Sequence, residues 1–200
     1  MPNRVQIKTY TNLPDFNRTE ILRYAGYLAA ADESTAALLE ECLREVNTAF
    51  SFRVAYCTLT IEEFLTEFKP DKSLQIARLS DCDRVVLFAA TVGLEIDRLT
   101  AKYSSVSTAK ALFLQAIGAE RIEALCDRFC KELAESYEKQ GVCTRQRFSP
   151  GYGSFSLTAQ KTFFQLLDCP RTVGISLQNS LLMSPTKSVT AAVGLAKAKQ

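Results

Sequence analysis

The chain has 200 residues, of which 47% are hydrophobic and 23% are charged. This composition is typical of a globular protein with one substantial core. The 24 basic and 22 acidic residues give a net charge of +2 and are dispersed, which argues against a nucleic-acid partner. No apolar run reaches the roughly 20 residues that cross a bilayer, and the N-terminal sequence MPNRVQIKTY lacks the apolar segment of a signal peptide. We therefore expect a cytoplasmic protein with no membrane partner.

The chain contains no histidine. This excludes nucleophile systems of the Ser-His-Asp and Cys-His types, and sites in which a protein histidine binds zinc, haem or cobalt. The seven cysteines include no CxxC pair, and their odd number predicts free thiols in a reducing compartment. Cys126 and Cys130 lie four residues apart in a predicted helix, where two thiols alone cannot complete a zinc site. We interpret them as small buried hydrophobic side chains and expect no bound metal.

Hydrophobic periodicity predicts the elements of the N-terminal part of the chain. In chain order they are an extended arm over 1–16, a helix over 17–27, a helix from Asp32 or Ser34 to about Phe50, a strand over 52–61, a strand or helical turn over 62–68, and a short helix over 72–79.

The middle of the chain has the strongest patterns. The nearly continuous apolar run over 84–92 predicts a central strand that is covered on both faces. An amphipathic helix over 94–103 leads into the longest helix, over 106–139, whose apolar residues recur at intervals of three or four. Gly118 lies inside this helix at a cost of about 1 kcal/mol relative to alanine. Such a glycine is tolerated best where another backbone packs against the helix.

The C-terminal part changes character again. A strand over 144–148 is followed by a loop over 149–154, which contains a proline and two glycines. A helix over 157–167 and strand-like runs over 173–177, 180–183 and 188–194 complete the prediction. Because strands and helices do not alternate regularly, we expect an α+β fold with a mostly antiparallel twisted sheet and packed helices. Residues 1–200 show no internal repeat or linker and are treated as a single domain.

The loop that begins at Arg147 is the first candidate binding site. An arginine at the end of a strand offers a planar fork that fits a carboxylate. The turn formed by Pro150 and Gly151 lets backbone groups approach a flat ring closely, and Tyr152 adds an aromatic wall with a polar tip. These features suit a small zwitterionic ligand, although an ordinary loop with a surface arginine has the same composition.

This loop is the start of a longer segment, over 147–194, that carries a pattern of spaced residues from Arg147 to Val189. The pattern reads Arg-x-x-Pro-Gly-Tyr, then a helix, then Gly-x-x-Leu-x-x-Ser-x-x-Met-x-Pro-x-x-Ser-Val. It resembles the C-terminal activation domain of cobalamin-dependent methionine synthase. The sequences ILRYAGY, TVGLEID and QAIGAERIEALCD are similar to those of short stand-alone proteins related to that domain. The resemblance covers most of the chain and implies the activation-domain fold.

The resemblance also implies a function. In that family the activation domain binds S-adenosylmethionine, whose methyl group restores methylcobalamin after reduction of cob(II)alamin. By resemblance, Arg147 engages the methionyl carboxylate, and Ser149, Pro150, Gly151 and Tyr152 line the ligand. The implied partners are a cobalamin-bearing methionine synthase or another corrinoid protein, and a flavodoxin-type reductant. The chain is then a component of methionine synthase activity rather than a complete enzyme.

The cationic end of this ligand requires acidic residues. A simple alignment puts Gly141 and Lys131 where the family has acids, and Ser156 where it has a proline. On the long helix, Glu120 and Glu123 share a face. We expect Glu120 to face solvent and include Glu123 among the candidate ligand-binding residues.

Alternative interpretations stay open. The missing acids favour a non-catalytic docking module for a corrinoid protein with a decayed ligand site. An independent methyltransferase that uses S-adenosylmethionine is a weaker alternative, because no nucleotide-binding βαβ fingerprint is present. A second candidate site is the junction at Gly93, where a helix start can bind an anion, although a lone glycine is more typical of a structural turn. Asp97 lies outside the hydrophobic pattern and is a candidate cleft residue.

Overall fold

The computed structural model describes residues 5–27, 31–46, 49–74 and 78–197. The helices are α1 (Arg18–Tyr24), α2 (Glu33–Glu45), α3 (Ile61–Phe68), α4 (Lys72–Leu74), α5 (Glu95–Ser104), α6 (Thr108–Glu138), α7 (Gln160–Leu167) and α8 (Cys169–Thr172). The strands are β1 (Gln6–Tyr10), β2 (Phe52–Thr60), β3 (Cys82–Thr91), β4 (Val142–Thr144), β5 (Ser176–Leu177), β6 (Met183–Ser184) and β7 (Ser188–Lys197). No helix in these ranges is both long and apolar enough to cross a membrane.

A five-stranded antiparallel sheet in the order β1-β2-β3-β7-β4 forms the centre of the fold. β3 and β7 have ten residues each and pair from Thr91 opposite Ser188 to Cys82 opposite Ala196. A second sheet consists of β5 and β6. The architecture confirms the predicted α+β fold with a mostly antiparallel sheet and packed helices.

Side chains of the central strands alternate between two hydrophobic cores. Val86 and Phe88 of β3 belong to the core that contains residues of α1, α2, α5 and α6, which we call the α6-side core. Leu87 and Ala89 belong to the core that contains residues of α3, α7 and α8, which we call the α7-side core. Because both faces of β3 are covered, its sequence is apolar almost throughout, as predicted.

Polar side chains fix where two helices begin. Oδ1 of Asp32 accepts a hydrogen bond from the backbone N–H of Thr35 at 2.7 Å, so α2 uses the first of its two predicted caps. A reciprocal capping box between Thr60 and Glu63 begins α3. The segment 62–68 is therefore helical, which was one of its two predicted states.

α6 confirms the predicted long helix, but several elements are shorter than their hydrophobic patterns. Periodicity continues past the point where backbone hydrogen bonding stops. The shorter elements include α2, which ends at Glu45 rather than near Phe50; β4, which ends at Thr144 rather than at Phe148; and β5 and β6, which have two residues each where strands were predicted over 173–177 and 180–183. The helix predicted over 72–79 is helical at Lys72–Leu74 and at 78–79, and 75–77 lie outside the described residues.

The atoms nearest to Gly118 of α6 belong to side chains. A Cβ atom at this position would lie 2.9 Å from Cγ of Lys187 and 3.1 Å from Cγ1 of Ile96. The glycine therefore gives room for the segment that leads into β7 to pass over the helix.

The prediction that Glu120 faces solvent is wrong. Its side chain is 6% exposed and lies 2.5 Å from the guanidinium of Arg121, which is 4% exposed. Arg121 also donates to the carbonyl oxygens of Pro14 and Asp15, and Glu120 accepts from the backbone N–H of Asn17. The N-terminal arm thus covers this part of α6, a tertiary contact that helical periodicity cannot reveal.

Candidate functional site

A cleft of about 650 Å³ lies at the edge of β7, within the range of about 300–1,000 Å³ that is usual for small-molecule sites. Its walls come from the loop after β4, from α6, from α7 and from β7. Among the residues that line it are Arg147, Ser149, Pro150 and Tyr152 of the loop, Glu123 of α6, Gln160 of α7, and Ser188, Val189 and Thr190 of β7. The cleft thus brings together five of the six residues that the sequence singled out.

The cleft exists because the chain after β4 leaves the edge of β7. Phe148 exchanges two backbone hydrogen bonds with Ala192, of 3.0 and 2.8 Å. Pro150, which has no N–H to donate, follows within the turn that carries the chain away. Ser188–Thr190 therefore border the cleft at this edge, where no other strand of the described part of the chain is paired with them.

Arg147 lies between the cleft and α6. Phe148 packs in the α7-side core, so the preceding side chain points to the opposite face of the sheet. Nη2 of Arg147 lies 2.5 Å from Oε2 of Glu123 and 3.1 Å from Oδ1 of Asp127. Nη1 is buried and has no hydrogen-bond partner among the described residues. An unpaired buried donor is costly, so Nη1 needs a partner that the described residues do not supply.

A tight turn forms one side of the cleft. Gly151 has a φ of +89°, a conformation that favours glycine, and its N–H donates to the carbonyl oxygen of Phe155 at 2.8 Å. Gly151 therefore shapes the turn, while Ser149 and Pro150 line the cleft. Tyr152 is 77% exposed and lies at the rim.

Sequence reasoning missed two polar residues of the cleft, Gln160 and Thr190. They are 6% and 2% exposed, yet Oε1 of Gln160 and Oγ1 of Thr190 have no hydrogen-bond partner in the described part of the chain. A glutamine at a helix start and a threonine in a strand have ordinary structural explanations. The sequence signal that could have identified Thr190 is the alternation of β7. Ala192 and Ala196, on the same face of the strand as Thr190, pack in the α7-side core, so a polar residue at 190 faces the same side.

The thiols near Arg147 are poor nucleophiles. Cys126 is buried and Cys130 is partly buried, and burial raises the pKa of both thiols, that of Cys130 to about 11. They are therefore protonated near neutral pH. The structure has all seven cysteines free, and its described residues contain no group of three or more potential metal ligands.

The contacts at the second candidate site favour a structural turn. The N–H of Gly93 donates to Oγ1 of Thr91 at 3.2 Å, and a Cβ atom on Gly93 would lie 3.1 Å from Cβ of Ser51. Asp97 accepts hydrogen bonds from the backbone N–H and the hydroxyl of Thr186, at 2.7 and 2.6 Å. Asp97 therefore fastens the segment before β7 to α5.

Comparisons with known proteins agree with this architecture. The sequence profile of the family described as vitamin B12 dependent methionine synthase, activation domain, matches residues 74–199, a segment that contains every cleft residue named above. The fold is similar to that of the MetH reactivation domain bound to AdoHcy, with a TM-score of 0.70, 15% sequence identity, and coverage of 100% of this chain and 82% of that chain. The comparison with curated proteins gave no match. Because the family profile matches more than half of the residues of the chain, the chain belongs to the activation-domain family of vitamin B12-dependent methionine synthase.

Proposed function

We propose that the chain binds S-adenosylmethionine in the cleft and presents it for remethylation of the cobalamin of a B12-dependent methionine synthase. The observation that carries the proposal is the arrangement around Arg147. Arg147 lines the cleft beside two carboxylates on α6, and one of its terminal guanidinium nitrogens is buried without a partner among the described residues. This arrangement complements the head of a free amino acid, which has one negative and one positive group.

The negative group of the ligand is assigned to Arg147. Guanidinium groups bind carboxylates through charge-assisted hydrogen bonds in a fixed geometry. Nη2 is engaged by Glu123 and Asp127, so Nη1 is the nitrogen that we assign to the methionyl carboxylate. The side chain of Arg147 is 23% exposed, which strengthens such a pair relative to a surface arginine.

The positive group of the ligand is assigned to the carboxylates on α6. Gly141 and Lys131 stand where the family pattern has acids, but Glu123 lines the cleft and Asp127 follows it by one helical turn. Both carboxylates contact the guanidinium, so a ligand whose carboxylate binds Arg147 brings its ammonium group close to them. In our proposal these residues replace the missing acids.

Cobalamin must come from a partner. The chain has no histidine that could act as a lower ligand of cobalt, and we assign the corrinoid to a methionine synthase or another corrinoid protein. S-adenosylmethionine, when bound, supplies the methyl group. The residues of this chain orient the ligand and exclude water, which are the contributions expected of a positioning component. In this scheme a flavodoxin-type protein supplies the electron, and the seven free cysteines are consistent with the cytoplasm.

The proposal is tested by calorimetric titration of the full chain with S-adenosylmethionine and S-adenosylhomocysteine. We expect saturable one-to-one binding of both, and a rise in melting temperature that follows ligand concentration. Adenosine and methionine, titrated separately, should each bind more weakly, because each has only part of the complementary groups. Failure of both full ligands to bind would contradict the proposal and favour the docking module with a decayed ligand site.

A further inference from the structure

The loop that borders the cleft combines fixed ends with a free tip. Phe148 and Phe155, near its two ends, are 7% and 3% exposed, and their rings lie 5.5 Å apart in the α7-side core. The N–H of Gly151 donates to the carbonyl oxygen of Phe155 across the base of the loop. In contrast, all of residues 152–154, which we call the strap, are exposed. Packing and hydrogen bonding therefore hold the base of the loop, while the strap lies outside the core.

The strap stands between two open spaces. All three of its residues line the cleft. Ser154 also lines a second cavity, of about 300 Å³, whose other walls include Phe68 at the end of α3 and Thr162 of α7. Segments with few packed neighbours open at low cost in free energy. The strap can therefore move toward either space without disturbing a close-packed interior.

The backbone of the strap is free to turn at Gly153. This residue has a φ of +57°, and a Cβ atom built on it would meet nothing within 4 Å. Neither Gly153 nor Ser154 forms a hydrogen bond with the rest of the described chain. Glycine adopts positive and negative φ about equally well, and hinges are usually a few loop positions that absorb such changes. Gly153 thus has the properties of a hinge beside a fixed base.

The side chain that such a hinge carries is Tyr152. It is 77% exposed at the rim of the cleft. An aromatic ring gains free energy when it leaves water for an apolar surface. A ligand in the cleft supplies a surface of this kind, so closure of the strap is coupled to occupancy. Closure also excludes water from the bound ligand.

We propose that the strap is a lid, which turns at Gly153 and lays the ring of Tyr152 over a ligand that has entered the cleft. This inference rests on the proposed function, since it specifies how the same site retains S-adenosylmethionine or S-adenosylhomocysteine. The fixed walls then recognise the ligand, and the strap controls how fast it leaves.

The test uses Tyr152→Trp, because the chain has no tryptophan of its own. Mixed with S-adenosylhomocysteine in a stopped-flow fluorimeter, this variant should shift its emission to shorter wavelength. The observed rate should level off at high ligand concentration, because closure follows binding as a separate step. Leu182→Trp is the matched control. Leu182 is 64% exposed and precedes Met183 of the cleft wall but lies outside the strap, so its emission should stay unchanged.

Two further variants test the hinge and the lid. In the Tyr152→Trp background, Gly153→Ala should change the limiting rate by at least about threefold, because alanine restricts the backbone at positive φ. Gly141→Ala, at a positive-φ glycine that also has nothing within 4 Å, should leave it unchanged. In the otherwise unchanged chain, Tyr152→Ala should raise the dissociation rate at least about tenfold and change the association rate less than about threefold. The exposed ring makes loss of folding unexpected.

The outcomes separate this inference from the proposed function. If calorimetry shows that the wild type and Tyr152→Trp both bind S-adenosylhomocysteine but the emission does not shift, the lid is overturned and the proposed function stands. A shift whose rate rises in proportion to ligand concentration throughout would overturn it in favour of a ring that already lines the cleft. Failure of the wild type to bind the ligand would overturn the proposed function and the inference with it.

Discussion

Glu123 and Arg147, 24 residues apart in the sequence, form an ion pair that engages one terminal nitrogen of the guanidinium. The same nitrogen serves Asp127, and the other terminal nitrogen is buried without a partner in the described ranges. The pair therefore orients the arginine at the cleft and leaves one donor of its guanidinium without a protein partner among the described residues. Because the guanidinium and the carboxylates are already held together, they are preorganised for a zwitterionic ligand. Binding therefore does not have to order them first.

Replacement of Arg147 tests the carboxylate subsite. We expect Arg147→Ala to weaken S-adenosylhomocysteine binding by about 1.5–3 kcal/mol, the usual range for hydrogen bonds to a charged group. Arg147→Lys should recover only part of the loss, because it keeps the charge but not the fork. Titration calorimetry measures both, with thermal melting in parallel.

Arg145→Ala is the control for these variants. Arg145 lies two residues earlier and pairs with Asp81 at the surface, so its removal should leave affinity unchanged. If Arg147→Ala binds as tightly as the wild type, Arg147 does not hold the carboxylate.

Replacement of Glu123 tests the ammonium subsite. Glu123→Gln should weaken the binding of S-adenosylhomocysteine by about 1–2 kcal/mol, because a charged hydrogen-bond acceptor is lost. With the deaminated ligand, which retains only the carboxylate, the same variant should bind as well as the wild type or better, because Arg147 loses an internal competitor. Asp127→Asn should have a smaller effect, because Asp127 is 74% exposed. An equal loss for both ligands in Glu123→Gln would assign Glu123 a structural role instead.

Glu132 predicts a specific dependence of stability on pH. Burial opposes its ionisation, but hydrogen bonds from Lys8, Arg128 and Tyr10 lower its pKa from 4.5 to about 2. A lowered folded-state pKa contributes stability that is present above pH 4.5 and is lost as the pH falls through about 2. Urea unfolding of Glu132→Gln should show a loss on the order of 2 kcal/mol at pH 7 that shrinks steadily toward pH 2. A pH-independent loss would show that charge is not the cause.

The buried pair between Glu120 and Arg121 predicts a large effect on stability. Glu120→Ala leaves a guanidinium that is 4% exposed without its carboxylate, and we expect a loss of about 3–5 kcal/mol in urea unfolding. Glu135→Ala, at an exposed position of the same helix, should change stability by no more than about 0.5 kcal/mol. Similar losses in the two variants would contradict the role of burial.

Thiol reactivity should follow burial. Under denaturing, non-reducing conditions a thiol reagent should titrate seven groups, since all cysteines are free. In the folded protein Cys143, which is exposed, should react first, and Cys130, which is partly buried, should follow more slowly. The five buried thiols should react only at the rate of unfolding. A count of five or fewer after denaturation would show that a disulfide forms.

The part of the cleft that is contiguous in sequence could be predicted, and the part that tertiary structure assembles could not. Arg147, Pro150 and Tyr152 lie in one loop with its own turn chemistry, so the motif identified them together. Gln160 and Thr190 are 30 residues apart, and only the packing of α7 against the sheet places them in one cleft. Their residue types carry no local signal, because both are common in the elements where they occur.

The same distinction between local and tertiary determinants explains which predictions for α6 were correct and which was wrong. Its length followed from its apolar period, which depends on local geometry and was predictable. The burial of Glu120 depends on Pro14, Asp15 and Asn17, more than 100 residues earlier in the chain. A charged residue beside an apolar stripe is usually solvated, so the sequence predicted an exposed position for Glu120, which is buried.

The position of the cleft at an open sheet edge has a consequence for cooperativity. α6 and α7 pack on opposite faces of the sheet, yet both supply residues to the cleft. A molecule that contacts Arg147 on one side and Gln160 on the other ties the two layers together across β7. Its binding free energy then opposes the detachment of either layer, in proportion to occupancy. The rate of amide hydrogen exchange in α7 should therefore depend on whether a ligand occupies Arg147, although that guanidinium lies on the other face of the sheet.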